Sequence, residues 1–374
     1  MKTNRKQVIH LVIVIVCILT IWIVRYFPAA GEFYARHIYP GIAAVLSAFS
    51  NLFPFSVGDL FIALGSVFLA GYFIYALCRR KNRRKNLFRL LLCTGWVYIW
   101  FYFAWGLNYF RQDFYTRNHI EYKAYDPDDF KSFLAGYITA LNDSYVPAAS
   151  PDTLPLAEEL RKNYTIIADT FGLNIPGKNL KPKPMLFSRL MSKVGVTGAM
   201  GPFFTEFNLN REIRPEEYPA VYAHEMAHRL GISSEAEANL YAYLTCTASD
   251  IPAIRYSGYF LLFGYVMNNA SYLLPEEEFD AFFGQIRPEI IRQYKDYRQY
   301  WRNKYSPSIG KIQNQAYNFF LKSNRIASGT KNYSEVIGLL MSYRSHNPAN
   351  ESASLSNPAA NEGISGNKQS APAS

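Results

Sequence analysis

The sequence predicts a mainly α-helical membrane protein, with three N-terminal transmembrane helices followed by a mostly helical domain that contains a small β element. Three long apolar runs lie within the first 110 of 374 residues, and helical periodicity dominates the rest of the chain. The charges divide in the same way: residues 1–110 hold 12 Lys and Arg against 2 Asp and Glu, whereas residues 111–374 hold 27 of each kind. The net charge of +10 therefore belongs to the N-terminal third. A nucleic-acid partner is not expected, because the larger part has no excess of cations.

The three apolar runs are long enough to cross a lipid bilayer. They cover about residues 8–24, 57–77 and 90–107, and at about 1.5 Å per residue each approaches the roughly 30 Å of a hydrocarbon core. A cleaved signal peptide is the alternative for the first run. That run is longer than a usual signal-peptide core, and two further runs follow it. We therefore predict a membrane domain over residues 1–110, with the first run retained as an anchor.

The placement of cations predicts how the spans are oriented. Several cations precede the first span, and seven more lie within residues 79–89, between the second and third spans. The loop between the first and second spans has only two cations, Arg25 and Arg36. Because loops rich in Lys and Arg stay in the cytoplasm, the N-terminus is expected to be cytoplasmic. Everything after about residue 110 is then extracytoplasmic.

Helical periodicity continues through a second predicted domain, residues 111–345. One helix is expected to start at Ser234. The segment Phe203–Leu209, in which aromatic and polar side chains alternate, is predicted to be a strand. Residues 346–374 are rich in Asn, Ser, Ala, Pro and Gly without periodicity, which is typical of a disordered tail. The other predicted helices cover about residues 127–145, 154–171, 215–230, 252–274, 276–303, 309–323 and 333–344.

One stretch of the second domain could itself be a membrane span. Residues 256–274 contain no charged side chain. They do contain four tyrosines together with Asn268 and Asn269, which are more typical of a buried helix in a water-soluble domain. The alternative, a fourth span, would return the C-terminal part of the chain to the cytoplasm.

Residues 224–228 read His-Glu-Met-Ala-His and carry the clearest chemical signal. Residues four positions apart lie on one face of a helix, so the imidazoles of His224 and His228 can converge on one metal ion. Glu225 points about 100° away from His224 and can reach a water molecule at that ion. Two histidine ligands and a general base in this spacing are the arrangement of zinc hydrolases. Pro215 predicts the start of the helix and Gly231 its end.

A zinc site of this kind needs a third protein ligand, and we expect a carboxylate. Glu235 and Glu237 both follow the motif, but they point about 200° apart on a helix, so only one can face the metal. Ser234 and Glu237 fit a capping box, which gives Glu237 a structural role. Glu235 is therefore the predicted ligand and Glu237 the alternative. Two residues are predicted to orient the metal ligands through hydrogen bonds without binding the metal themselves. They are Asn239, which lies one turn after Glu235, and Glu237. Histidine is nearly excluded as the third ligand, because the others lie in or near the membrane part or in the tail: His10, His37, His119 and His346.

The pattern of His224, Glu225 and His228 followed by Glu235 resembles the gluzincin metallopeptidases, in which a Glu on the next helix completes the zinc site. The resemblance implies that the extracytoplasmic domain is zincin-like, that the cofactor is Zn²⁺ and that the substrate is a peptide or protein. Gluzincins commonly have an Asp four residues after that Glu, where this chain has Asn239. The linker between the second His and the Glu is also shorter here than in most gluzincins.

A second resemblance covers most of residues 10–345. The chain resembles the bacterial membrane family catalogued as "domain of unknown function 3810", which implies a multi-pass protein of the bacterial inner membrane with a metallopeptidase-like site and no particular substrate. Besides the three spans and the His-Glu-x-x-His motif, the resemblance rests on these segments: Trp105–Tyr109, Gly201–Phe204, Gly231, the Glu-Ala-Asn triplet at 237–239, and Tyr256–Gly258.

Together these patterns predict a membrane-anchored, zinc-dependent metallopeptidase that hydrolyses peptide bonds of cell-envelope proteins or peptides. Glu225 is expected to take a proton from the attacking water and to pass it to the leaving amine. Tyr317 and Tyr333 are candidates for stabilising the oxyanion, with no choice between them. The strand at residues 203–210 is expected to pair with an extended substrate. The alternative is a membrane sensor or envelope protein that binds zinc without turnover or cleaves only itself.

Overall fold

The computed structural model describes residues 5–147 and 155–347, without the side chains of residues 80 and 332–334, and within these residues the chain is mainly helical. The predicted disordered tail lies almost wholly outside the described residues. Two short 3-10 turns, Arg80–Asn82 and Gly106–Phe110, precede and follow the last helix of the N-terminal part. The helices of that part are α1 (Arg5–Tyr26), α2 (Pro28–Phe33), α3 (Tyr39–Ser50), α4 (Val57–Cys78) and α5 (Arg83–Ala104).

Helices α1, α4 and α5 are long and apolar enough to cross a membrane, which agrees with the three predicted spans. Each has 22 residues, and the mean hydropathy of the most apolar stretch is 2.8, 2.1 and 1.5 in chain order. Most of their side chains lie on the outside of the protein, as lipid-facing helices require. Helix α5 begins at Arg83 rather than near residue 90. Its first turns carry cations that can extend away from the hydrocarbon while the backbone remains helical.

The segment between α1 and α4 is folded against the ends of the spans. Helix α2, the π-helical turn Tyr34–Ile38 and α3 follow one another directly. Tyr34 and Tyr39 are buried in a hydrophobic cluster with Trp105 and Phe110, which follow α5. This cluster joins the C-terminal ends of α1 and α5 to the part of the chain that precedes the second span.

The rest of the chain forms a larger helical body around a small sheet. Its strands are β1 (Lys183–Pro184), β2 (Gly198–Gly201) and β3 (Glu206–Leu209). A 3-10 segment, Gly329–Glu335, precedes the last helix. The helices are α6 (Phe114–Asn118), α7 (Pro127–Ser144), α8 (Leu156–Phe171), α9 (Ser188–Ser192), α10 (Tyr218–Arg229), α11 (Glu235–Thr247), α12 (Pro252–Leu273), α13 (Glu276–Phe283), α14 (Pro288–Lys304), α15 (Pro307–Ser323) and α16 (Val336–His346).

Helices α10, α11 and α12 form the centre of this body, and α7 packs against α12. The uncharged stretch at residues 256–274 lies in α12, where Tyr256, Tyr259 and Phe263 are each 2% exposed. Among the described residues, α12 is not one of the helices apolar enough to span a membrane. The aromatic side chains therefore build the main hydrophobic core, as a buried helix predicts.

Two predicted helices differ from the structure. Helix α10 begins at Tyr218 rather than at Pro215, because residues 214–217 form a turn in which the Glu217 carboxylate accepts a hydrogen bond from the Arg214 backbone N–H at 3.1 Å. The single helix predicted over residues 276–303 is two helices, α13 and α14. Pro288 lacks a backbone N–H and so starts a new helix instead of continuing the first.

The sheet has the order β1-β3-β2, with β1 parallel and β2 antiparallel to β3. The register pairs Gly198 with Leu209 and Gly201 with Glu206. The expectation that residues 203–210 pair with a substrate is therefore wrong, since β3 is the central strand and both of its edges are occupied. Residues 203–205 belong to the turn that precedes β3.

The sheet is attached to the beginning of the second span. The Glu206 carboxylate accepts hydrogen bonds from the backbone N–H groups of Val57 at 3.2 Å and Gly58 at 2.7 Å, which are donors that a helix start leaves without partners. Lys183 Nζ pairs with the same carboxylate at 2.6 Å. The negative charge lies at the positive end of α4, which stabilises this contact.

Candidate metal centre

The turn between α10 and α11 folds the second helix back on the first. Gly231 has a φ of +94°, a conformation that favours glycine. A Cβ at this position would also lie 3.0 Å from Asn108 Oδ1. Ser234 then caps α11, where its hydroxyl accepts a hydrogen bond from the Glu237 N–H at 3.3 Å. This short connection places the beginning of α11 beside the last turns of α10.

The turn brings together three of the predicted ligands: His224, His228 and Glu235. The Nε2 atoms of the two histidines are 3.1 Å apart, and each lies 3.1 Å from Glu235 Oε2. All three residues are buried, with exposed fractions between 5% and 9%. They form a group of side chains that could hold a metal ion.

The surrounding contacts aim these atoms at one another. His228 Nδ1 lies 2.7 Å from the carbonyl oxygen of Ile232, which holds a proton on Nδ1 and orients the ring so that Nε2 faces the other two groups. On the opposite side, the Tyr317 hydroxyl donates to Glu235 Oε1 at 2.5 Å. That bond leaves Oε2 to face the imidazoles.

The spacing and chemistry of the three groups fit a zinc ion. With bonds of about 2.0–2.1 Å in a tetrahedral site, ligand atoms lie about 3.3 Å apart, close to the 3.1 Å observed. Two imidazoles and a carboxylate are donors that suit zinc. Burial acts to raise the pKa of the Glu235 carboxyl, but the imidazoles of His228 and His224 hold it well below its usual range. The cluster therefore has the donor atoms, the spacing and the ionised carboxylate that a zinc ion requires.

Glu225 lies beside the cluster and is 4% exposed. Its Oε2 atom is buried and makes no hydrogen bond within the described part of the chain. Burial raises the pKa of this carboxyl, while the imidazoles of His228 and His224 oppose that shift. An unpartnered buried carboxylate next to a ligand cluster is an arrangement expected of a proton acceptor rather than of a packing residue.

The cluster and Glu225 line a cavity of about 690 Å³. Strand β2 forms one wall through residues 198–200, and α15 forms another through side chains that include Gln313 and Tyr317. The third wall comes from the end of α5 and the residues after it: Phe101, Trp105 and Tyr109. The candidate site therefore combines elements from both ends of the chain.

Asn239 lies in the same cavity, one turn after Glu235. It is 3% exposed and lies close to Tyr265, which also lines the cavity. Burial and the nearby Glu235 carboxylate raise the pKa of Tyr265 to about 12, so this hydroxyl keeps its proton at neutral pH. The sequence alone does not identify Tyr265, because no local sequence pattern distinguishes it from the other 28 tyrosines.

Glu237 points away from the cluster. Its carboxylate pairs with Arg117 and lies 3.5 Å from the Tyr241 hydroxyl. One of the two hydrogen bonds of the predicted capping box is present, because the Glu237 backbone N–H donates to the Ser234 hydroxyl. The Glu237 carboxylate pairs with Arg117 instead of forming the second one. The structure thus places Glu235, and not Glu237, beside the two imidazoles.

The two tyrosines considered for the oxyanion have different positions. Tyr317 binds the outer oxygen of Glu235, so its contact in this structure is with a predicted ligand. Tyr333 lies outside the residues whose side chains are described.

The C-terminal carbonyl groups of α10 and its turn accept hydrogen bonds from side chains that are distant in sequence. A helix end leaves such carbonyls without partners, and three of the four bonds come from residues 39–111, so they fix α10 against the membrane part and the residues directly after it. Trp105 belongs to a motif noted in the sequence, but no pattern assigned it this contact. The bonds are Trp105 Nε1 to His228 O at 3.1 Å, Tyr39 Oη to Arg229 O at 2.7 Å, Asn174 Nδ2 to Leu230 O at 3.0 Å and Arg111 Nη1 to Gly231 O at 2.9 Å.

These features define a mainly helical membrane protein with a buried His-His-Glu cluster at the end of a span. Residues 34–341 match the sequence model of a family described as "Protein of unknown function (DUF3810)", and the chain belongs to that family. The match runs from the segment after the first span into α16 and confirms the resemblance to this family over residues 34–341. No curated protein and no solved structure matches the chain.

Proposed function

We propose that the protein is a membrane-anchored zinc metallopeptidase of the gluzincin type, with a zincin-like domain on the extracytoplasmic side of the bacterial inner membrane. Its substrates are peptide bonds of cell-envelope proteins or peptides. One observation carries the proposal: His224, His228 and Glu235 converge to 3.1 Å of one another, beside the unpartnered carboxylate oxygen of Glu225.

In the proposed mechanism His224, His228 and Glu235 would hold a zinc ion. Zn²⁺ in such a site polarises a carbonyl group and lowers the pKa of water to about 7. Glu225 accepts a proton from water as the water attacks the peptide carbonyl, and the same carboxyl then donates that proton to the leaving amine. Tyr265 keeps its hydroxyl proton at neutral pH and can donate a hydrogen bond to the substrate.

Strand β2 is the proposed binding strand for the substrate. Within the described sheet it pairs with β3 alone, so its other edge offers backbone N–H and C=O groups. Gly198, Ala199 and Met200 line the cavity. An extended peptide could add to this edge as a further strand, which would bring one of its peptide bonds past Glu225.

The test is metal analysis of the full-length protein in detergent, together with Glu225→Gln. We expect one zinc ion per chain in both proteins. In the variant, cleavage of envelope proteins should fall by about 10²–10⁴-fold, the usual contribution of a general base. Glu217→Gln is the matched control, because Glu217 is also a buried glutamate next to α10 (6% exposed) but lies outside the cavity. Absence of stoichiometric zinc, or full cleavage by Glu225→Gln, would contradict the proposal.

Gly198→Ala should impair turnover while zinc binding persists. A Cβ at Gly198 would lie 2.3 Å from Glu225 Oε1 and 2.4 Å from its Cγ, so the Glu225 side chain must move. A displacement of about 1 Å at a reacting group can cost about 10²-fold in rate. Gly201→Ala in the same strand is the control, because its nearest neighbour is 3.4 Å away. Comparing kcat and zinc content of the two variants tests this, and equal rates would show that Glu225 is not held by the strand.

A further inference from the structure

The cavity with the candidate metal centre begins at the membrane helix itself. Phe101 lies inside α5, one of the three apolar helices, and also lines the cavity. Trp105, the first residue after that helix, donates a hydrogen bond to the carbonyl of His228 at 3.1 Å. The end of the span and the metal-binding helix are therefore in direct contact.

Helix α15, which forms another wall of the cavity, is held against the ends of two spans. Tyr102, near the end of α5, donates to Asn324 Oδ1 at 2.7 Å. Arg325 donates to the carbonyl of Arg25, close to the end of α1. The ring of Phe320 lies 6.0 Å from that of Phe101. These contacts fix the C-terminal end of α15 at the level where α1 and α5 end.

Helix α15 has one face in the cavity and an apolar face outside. Gln313, Tyr317 and Phe320 line the cavity. Ile312 and Phe319 form an apolar stripe on the outer face, because residues seven positions apart return to the same side of a helix, and they are 70% and 76% exposed. Ile309, 40% exposed, borders this stripe.

The chemistry of the outer face fits a lipid surface. Helix α15 contains two lysines and no acidic residue, which suits anionic headgroups. A helix with an apolar face and a cationic, polar remainder lies in the plane of a membrane interface. Because the end of this helix also contacts the ends of α1 and α5, its apolar stripe lies close to the level at which these spans end.

A second apolar patch flanks the cavity near the start of α4. The Leu186 backbone N–H donates to Asp59 Oδ2 at 2.9 Å, so this segment is held at the beginning of the second span. Phe187 and Leu190 are 45% and 48% exposed, and Met191 next to them lines the cavity. The cavity thus has apolar surface at the ends of spans on two of its sides.

We propose that the cavity opens at the surface of the bilayer and that its substrates are polypeptides anchored in the same membrane, cut within roughly ten residues of their membrane segment, which is about 30 Å of extended chain. This inference rests on the proposed peptidase function. Anchoring raises the effective concentration of the segment next to the membrane. A short extended stretch leaving the bilayer could reach the edge of β2, whereas a distant loop of a soluble domain could not.

The first experiment maps new protein N-termini in membranes of cells that produce the full-length protein or its Glu225→Gln variant. We expect the Glu225-dependent cuts to lie within roughly ten residues of an apolar segment of the cleaved protein. Cuts distributed over soluble regions would overturn the inference and leave the peptidase function standing. Absence of any Glu225-dependent cut would instead overturn the proposed function, and the inference with it.

The second experiment uses one substrate found in this way and the full-length enzyme in vesicles that contain anionic lipid. The anchored substrate should be cut at least about tenfold faster than the same polypeptide without its anchor, and a flexible linker of about 20 residues between anchor and cut site should remove most of that advantage. Equal rates for the anchored and free forms would overturn the inference.

Ile312→Glu tests the contact of α15 with lipid. We expect slower cutting of the anchored substrate and unchanged zinc content, because a charge on the outer stripe would lift α15 from the bilayer. Ile166→Glu is the matched control, since Ile166 is a similarly exposed isoleucine (62%) within α8 and does not line the cavity. Equal loss of cutting in both variants, or no loss in either, would contradict the role of this stripe.

Discussion

Glu235→Gln is expected to strip zinc from the purified protein. Glu235 Oε2 is the only carboxylate oxygen among the three converging atoms, and it lies 3.1 Å from both imidazole nitrogens. The amide removes the negative charge while preserving the shape of the side chain. The affinity for zinc should therefore fall by more than the roughly 10–100-fold that loss of an outer supporting group costs.

The measurement is a competition for zinc between the full-length protein and a chelator of known affinity. Tyr317→Phe is the graded control: it removes the hydrogen bond to Glu235 Oε1 and should cost only about 10–100-fold. Glu237→Gln tests the alternative ligand and should leave the affinity for zinc unchanged. If Glu237→Gln loses zinc and Glu235→Gln keeps it, the assignment of the third ligand is wrong.

The parts of the site that could be predicted from the sequence are those that depend on neighbouring residues. His224 and His228 share a helix face because of their spacing, and Gly231 ends the helix because the turn needs a positive φ. Glu235 could be separated from Glu237 by their directions on α11 together with the capping role of Ser234. The three spans follow from length and composition alone, which is why all three were found.

The parts that could not be predicted depend on contacts between distant residues. Trp105 and Tyr39 donate to carbonyls 123 and 190 positions away, and no local pattern encodes such pairings. Tyr317 meets Glu235 across 82 positions. Strand β2 (Gly198–Gly201) has four residues, of which two are glycine, so it lacks the side chains by which strands are recognised. For that reason the sequence offered β3 as an open edge, although in the structure β3 is the central strand and β2 lies at the edge of the described sheet.

The partner of Glu237 illustrates the same limit and leads to the largest expected effect on stability. Arg117 and Glu237 form an ion pair whose side chains are 1% and 8% exposed. The pair joins α6, which follows the membrane part, to α11, which carries Glu235. Burial acts to lower the pKa of Arg117, but the adjacent Glu237 carboxylate raises it above its usual value. The guanidinium therefore stays charged inside the protein and depends on its partner.

Glu237→Leu is accordingly expected to lower the free energy of unfolding by about 3–5 kcal/mol, because it leaves the buried charge of Arg117 without compensation. Replacing both residues, by combining Glu237→Leu with Arg117→Met, should recover most of that loss, since a buried ion pair and an apolar pair of similar volume are often equally stable. Unfolding of the full-length protein in detergent measures both effects. Asp250→Ala, which breaks the exposed pair with Lys162 at 3.9 Å, should change the stability by less than about 1 kcal/mol. A double variant that is no more stable than Glu237→Leu would mean that the pair contributes through its geometry, holding α11 in place, rather than through the balance of two buried charges.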